Sequence, residues 1–385
     1  MESLRTNAFR CGLDVLLDDH PDWLAGRRAA LLSHPAALDR FGATSAERLH
    51  AELGEGLVAL FGPEHGFWGL AGAGEETASG VHPAWGIPIH SLYGATRKPT
   101  PEMLRGIDVL VCDLQDLGAR CYTYLATLDL ALQACAGAGV EVVVADRPIP
   151  LPGVEDGPIA EERFFSFVAP LPLPMCTGMT PGQAARWICR HRDLSLPLRV
   201  APMDGWDGQG RRAADWPDFI PPSPGIRSWE AGATYLATVS TEAIPVLDVG
   251  RGTSLAFRLV GAPWIDAGAL RERLEDAALP GVRFHPHAYV AGTKPYGGTT
   301  IHGLRIGVVD PAAFRPVRTG VAILAALRDL YGGDRLWRSE GARPGWFDRL
   351  FGTDATRLAL QDGAPADAIA SAWATGSPGP AAVSG

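Results

Sequence analysis

The chain lacks several features that would place it quickly. Its six cysteines (Cys11, Cys112, Cys121, Cys135, Cys176 and Cys189) have no CxxC spacing, so the sequence offers neither a disulfide framework nor a zinc cluster, and they read as free thiols. Lys and Arg are scattered without a basic run, and the net charge is −9, which excludes the electrostatic footprint of a nucleic-acid binder. The first twenty residues, MESLRTNAFRCGLDVLLDDH, hold no sustained apolar segment and carry acids where a signal peptide would be hydrophobic; the expectation is a cytoplasmic protein with no membrane partner. The glycine-rich stretch FWGLAGAGEETASG has Gly72-x-Gly74 but no third glycine at the dinucleotide spacing. It also has no Lys-Ser/Thr as in a phosphate loop, so it reads as a mobile loop and no nucleotide cofactor is expected. His285 and His287 share a face if FHPHAY is a strand, yet no third ligand of the right type lies nearby in sequence, and no metal is expected.

What is present is enough apolar material for sizeable cores: 385 residues, 46% of them hydrophobic. Short apolar runs bounded by turn formers predict strands at Arg28 to Ser33, Leu57 to Phe61, Val109 to Cys112 and Glu141 to Ala145, and alternation predicts a short strand at Ile87 to Tyr93. Helices are predicted at Thr44 to Leu53, with Thr44 or Ser45 as N-cap, at Thr100 to Arg105, and after Tyr124, closing at glycines. A further one runs from Thr180 to His191, with Thr180 as N-cap and Pro181 in the first turn. Strands alternating with helices make the first half α/β with a mainly parallel sheet, and ligands in such sheets bind outside the carboxyl ends of the strands.

Three strand ends deliver polar residues to that edge. GLVALFGPEHG stops at Gly62-Pro63 and presents Glu64 and His65; Val109 to Cys112 leads into Asp113, Gln115, Asp116, Arg120, Tyr122 and Tyr124; Glu141 to Ala145 leads into Asp146-Arg147-Pro148. A carboxylate beside an imidazole in that position can face a substrate, although Glu64 could equally cap a turn and the Asp and Arg residues could equally brace a loop. The Gly-, Pro- and Trp-rich segment Trp206 to Ile226 marks a crossing between domains or a long ordered loop, and the domain boundary is placed near it. Beyond it, β-like runs (Ala256 to Val260, Arg305 to Val309) mix with helices (Ala267 to Ala278, Val317 to Leu330) in an α+β pattern.

Several motifs in order then resemble one bacterial family, long catalogued as a domain of unknown function and associated with exo-acting β-N-acetylmuramidases. They are ALFGPEHGF (59–67), SLYGATRKPTPEML (91–104), DVLVCDLQDLGARCYTY (108–124), DRP (146–148), GMTPG (178–182), VGRGT (249–253), GAPWID (261–266) and AFRPVRTG (313–320). The resemblance covers nearly the whole chain. It implies a Rossmann-like catalytic domain over residues 1–215, a smaller C-terminal α+β domain over 216–372 completing a cleft, and an essential glutamate at Glu64. The tail, 373–385, is low in complexity and expected to be disordered.

The implied activity is release of N-acetylmuramic acid, or a related amino sugar, from non-reducing ends of peptidoglycan fragments. Glycoside hydrolysis ordinarily uses two carboxylates. Glu64, desolvated by Pro63, Phe67 and Trp68, would be the acid, Asp116 the partner, with Asp113 and Glu242 as alternates, and His65 would orient Glu64. Substrate contacts are expected from Asp113, Gln115, Arg120, Tyr122, Asp146, Arg147, Glu242 and Arg251.

The chain also departs from the family pattern. GFRGDADAGE has become GFWGLAGAGE (Trp68, Leu70, Gly72), RHGMT has become CTGMT (Cys176, Thr177), and DRPNP has become DRPIP (Ile149). Two arginines are removed, cations that a site for the lactyl carboxylate of muramic acid would use. A hydrolase for an amino sugar without the lactyl group, or a non-catalytic glycan- or metabolite-binding protein, are the alternatives.

Overall fold

The computed structural model describes residues 9–210, 216 and 219–373. Seven strands form the larger sheet: β1 (Ala29–Ser33), β2 (Leu57–Gly62), β3 (Gly80–Val81), β4 (Pro88–Ser91), β5 (Val109–Asp113), β6 (Glu141–Ala145) and β7 (Leu198–Ala201). Their order is β3-β4-β2-β1-β5-β6-β7, and every pairing is parallel except that of β3 with β4. Strands such as AALLS and EVVVA are apolar throughout because both faces of a parallel sheet are covered. On one face α1 (Gly12–Asp19) and α2 (Ser45–Leu53) pack with Leu31, Leu60, Val111 and Val143; on the other, α3 (Tyr124–Ala138) and α4 (Pro181–His191) pack with Leu32, Phe61, Leu110 and Val144. Chain direction across the sheet reverses at β1, which has β2 on one side and β5 on the other, so a crevice opens above their carboxyl ends.

The second sheet is antiparallel, β8 (Leu259–Ala262), β10 (Thr300–Val308) and β9 (Val282–Val290) in that spatial order. Around it lie α5 (Trp229–Thr238), α6 (Ala267–Asp276), α7 (Pro316–Tyr331), α8 (Gly333–Trp337), α9 (Pro344–Phe351), α10 (Ala355–Gln361) and α11 (Ala366–Ser371). The buried apolar cluster under α3 continues without a break through α5 and α7 into this sheet.

The predicted caps form. Thr44 and Thr180 each accept the N–H of the third helical residue, Glu47 and Gln183, whose side chains reach back to the cap. Thr100 to Arg105 is not a helix but a run of turns, since Pro101 and Gly106 leave room for little beyond the Leu104 N–H to Thr100 carbonyl bond. The expected strand at Ala256 starts instead at Leu259, because Phe257 sits at φ +62° and turns the chain. Residues 211–215, at the expected boundary, and 374–385, most of the expected disordered tail, lie outside the described residues; Trp373 is described, and its indole N–H donates to Thr356 Oγ1 at 3.4 Å.

Candidate active site

The loop after β2 is built around two backbone requirements. A Cβ at Gly62 would stand 2.3 Å from the Phe67 nitrogen, so only glycine lets the chain fold back here. His65 adopts φ +73°, a left-handed conformation uncommon outside glycine, and its Nδ1 lies 2.9 Å from the Ala71 carbonyl rather than on Glu64. This reversal carries Phe67 to the sheet face covered by α1 and α2, with Trp68 edge-on to it, so neither ring lines the Glu64 cavity as had been expected. Both Glu64 oxygens are instead held by polar donors. Oε1 accepts the Gly74 N–H at 2.7 Å and Oε2 the Thr123 hydroxyl at 2.6 Å. Thr123 is the N-cap of α3, and its hydroxyl serves Glu64 instead of its own helix.

Glu64 opens on a cavity of about 600 Å³. Tyr93 and Arg97 follow β4; Tyr122 and Thr123 precede α3; Tyr235 comes from α5; Glu242, Arg251 and Phe257 from the segments next to it; and Arg343, Trp346 and Arg349 from α9 and its N-cap. Burial raises the Tyr93 hydroxyl above its ordinary range and the neighbouring Glu64 carboxylate adds to the rise. Glu242 is ion-paired to Arg251, and Arg343 donates to the Glu242 carbonyl at 2.7 Å. Of the residues expected at the site, the cavity thus collects Glu64, His65, Tyr122, Glu242 and Arg251.

The others lie outside its walls, each for a visible reason. Asp113 and Arg147 are fully buried against one another at the ends of β5 and β6, with Nη2 to Oδ2 at 2.9 Å and Ser45 donating to the same carboxylate at 2.6 Å. Gln115 spans the crevice floor, its N–H donating to His34 Nε2 at 2.9 Å and its amide to the Pro148 carbonyl at 2.8 Å. Burial, then the Arg147 charge, push His34 down to about 3, which keeps the ring neutral and able to accept that bond. Arg120 is fully buried and donates to the carbonyls of Pro158 (2.9 Å), Leu173 (2.5 Å) and Leu350 (3.1 Å), a brace between loops and α9. Asp146 accepts from Thr180 Oγ1 and the Gly182 N–H at the start of α4, and burial raises it to about 6.

Asp116, expected as the second carboxylate, caps its own turn by accepting the N–H groups of Leu117 (2.5 Å) and Gly118 (3.1 Å), and does not face the cavity. Burial raises it to about 7 from an ordinary 3.8. Because the folded state then binds its proton more tightly than the unfolded state, this group's contribution is full below about pH 4 and is lost as pH rises to about 7. Asp116→Asn keeps an acceptor for both amides. Unfolding by urea across that pH range is expected to show the fall flattened, with turnover retained; loss of turnover at unchanged stability would return Asp116 to the chemistry.

The departures from the family pattern also lie off the cavity. Ile149 is buried, Cys176 donates to the Val154 carbonyl and Thr177 to that of Gly118. Trp68 and Leu70 border a separate cavity of about 370 Å³ that shares His65. Reasoning from sequence missed Tyr93, Arg97, Thr123 and the α9 residues. Tyr93 had a signal, since it stands just beyond a predicted strand.

The fold and cavity define an α/β protein with a polar site at the carboxyl edge of its parallel sheet, where two acids and four arginines meet. Residues 29–230 match the family described as exo-beta-N-acetylmuramidase NamZ, N-terminal, and residues 233–378 its C-terminal counterpart. The peptidoglycan beta-N-acetylmuramidase NamZ of Bacillus subtilis (strain 168) is 36% identical over 94% of this chain and 86% of its own length. Two DUF1343 family proteins of Bacteroides fragilis have similar crystal structures. One is 31% identical with a TM-score of 0.83, covering 91% of each chain; the other is 26% identical with a TM-score of 0.73, covering 95% and 94%. The chain belongs to the exo-β-N-acetylmuramidase NamZ family.

Proposed function

We propose that this glycosidase releases a terminal β-linked N-acetylmuramic acid from peptidoglycan-derived fragments, with Glu64 as general acid and Glu242 as the second carboxylate. The observation that carries the reading is Glu64 itself: a carboxylate oriented through both oxygens, opening on a cavity of about 600 Å³. That volume falls within the ~300–1,000 Å³ range of small-molecule sites. Glu64 protonates the leaving glycosidic oxygen as the bond to the anomeric carbon breaks. Glu242, the other acid on the cavity wall, acts at that carbon, directly or through water, and is held in place by Arg251 and Arg343.

A chromogenic N-acetylmuramide tests the reading beside the matching N-acetylglucosaminide. Faster turnover of the muramide is expected, unaffected by EDTA, since no group of three or more His, Cys, Asp or Glu among the described residues could hold a metal ion. Binding without turnover of either sugar would favour the non-catalytic alternative, and preference for the glucosaminide the amino-sugar alternative. The proposed setting is cytoplasmic turnover of cell-wall fragments, supported by six unpaired thiols, five of them buried. Cell fractionation checks it; no described helix is long and apolar enough to cross a membrane.

A further inference from the structure

We propose that Arg97 is the residue that selects muramic acid, by pairing its guanidinium with the lactyl carboxylate of the terminal sugar. This rests on the reading that the cavity receives that sugar. Four arginines line the cavity, and they are not equivalent. Arg251 is neutralised by Glu242, and Arg343 is committed to the Glu242 carbonyl. Arg349, exposed like Arg97, has no ring against it among the described residues. The Arg97 guanidinium lies 4.8 Å from the centre of the Tyr93 ring and 4.4 Å from that of Phe167, and the two rings are 5.7 Å apart. No carboxylate among the described residues pairs with it.

A guanidinium held against two rings has already given up much of its side-chain freedom. Its N–H edge stays available for the planar, two-bonded contact that arginine makes with a carboxylate. Its location fits the ligand. Tyr93, the ring beneath Arg97, and Glu64 line the same cavity, so acid and cation face one space. In N-acetylmuramic acid the lactyl ether is on C3, two carbons from the anomeric centre where the bond breaks. One sugar ring can therefore meet both groups. Positions 68 and 176 lie off this cavity, whereas Arg97, within the 91–104 family motif, lines it.

The test measures binding of free N-acetylmuramic acid and N-acetylglucosamine by calorimetry, independently of turnover, to the wild type, Arg97→Gln, Arg97→Lys and Arg349→Gln. The wild type is expected to prefer the muramic acid. Arg97→Gln should weaken its binding about 10–100-fold and bring the two sugars close together, as loss of a charge-assisted contact requires. Arg97→Lys should fall between, keeping the charge without the planar fork. Arg97 is exposed, so melting temperatures should not move. A wild type without preference, a preference that survives Arg97→Gln, or a preference lost in Arg349→Gln overturns the assignment. Muramic acid bound through Arg97 without hydrolysis of any muramide would instead defeat the catalytic reading alone.

Discussion

Glu64→Gln is expected to reduce kcat at least about 100-fold while leaving the melting temperature unchanged. The amide cannot deliver a proton, and general acid–base catalysis typically contributes ~10²–10⁴-fold. Structural cost is small for a specific reason. The glutamine oxygen can accept the Gly74 N–H, and its nitrogen can donate to the Thr123 hydroxyl, which is able to accept as well as donate. Both neighbours stay satisfied, so the change in stability should be within about 1 kcal/mol. Thermal unfolding and steady-state turnover on a muramide, measured on one preparation, separate chemistry from folding. Turnover near that of the wild type would reduce Glu64 to a loop fastener.

Arg147→Met should lower stability by about 3–5 kcal/mol, the usual consequence of leaving one half of a buried ion pair uncompensated. Among the described residues Asp113 would keep only the Ser45 hydroxyl, in a site with no exposure to water. The double variant Asp113→Leu/Arg147→Met should recover much of that loss, because it removes the stranded charge together with its partner. Urea midpoints at constant slope report both values. A raised KM with the midpoint unmoved would make this pair a substrate contact after all.

The parallel sheet was legible because buried strands are written as short apolar runs, and the helix starts because Thr44 and Thr180 carry their own capping partners. The loop after β2 was legible as a place, since Gly62-Pro63 must end the strand. Which polar residues beyond β5 and β6 face a ligand was not. Asp113, Asp116, Arg120 and Arg147 have the composition of a binding site, and the same side chains that hold a sugar can hold backbone carbonyls and amides. Only the path of the intervening chain decides between these uses. Arg97 and Arg343 escaped notice for the converse reason: each is a single surface-type cation, and its meaning comes from rings or carbonyls distant in sequence.

Arg120 joins its loop to the Leu350 carbonyl, and the cavity walls run from Glu64 to Leu350. The order in which a ribosome makes these pieces has a consequence. All seven strands of the larger sheet are complete by Ala201, yet about 150 further residues must emerge before α9 can close the cavity and occupy the last bond of Arg120. Until then the growing chain carries Glu64 without Trp346, Arg349 and Leu350 to complete the wall across from it. A cavity complete around Glu64 therefore forms late, well after the sheet that carries the acid has been made.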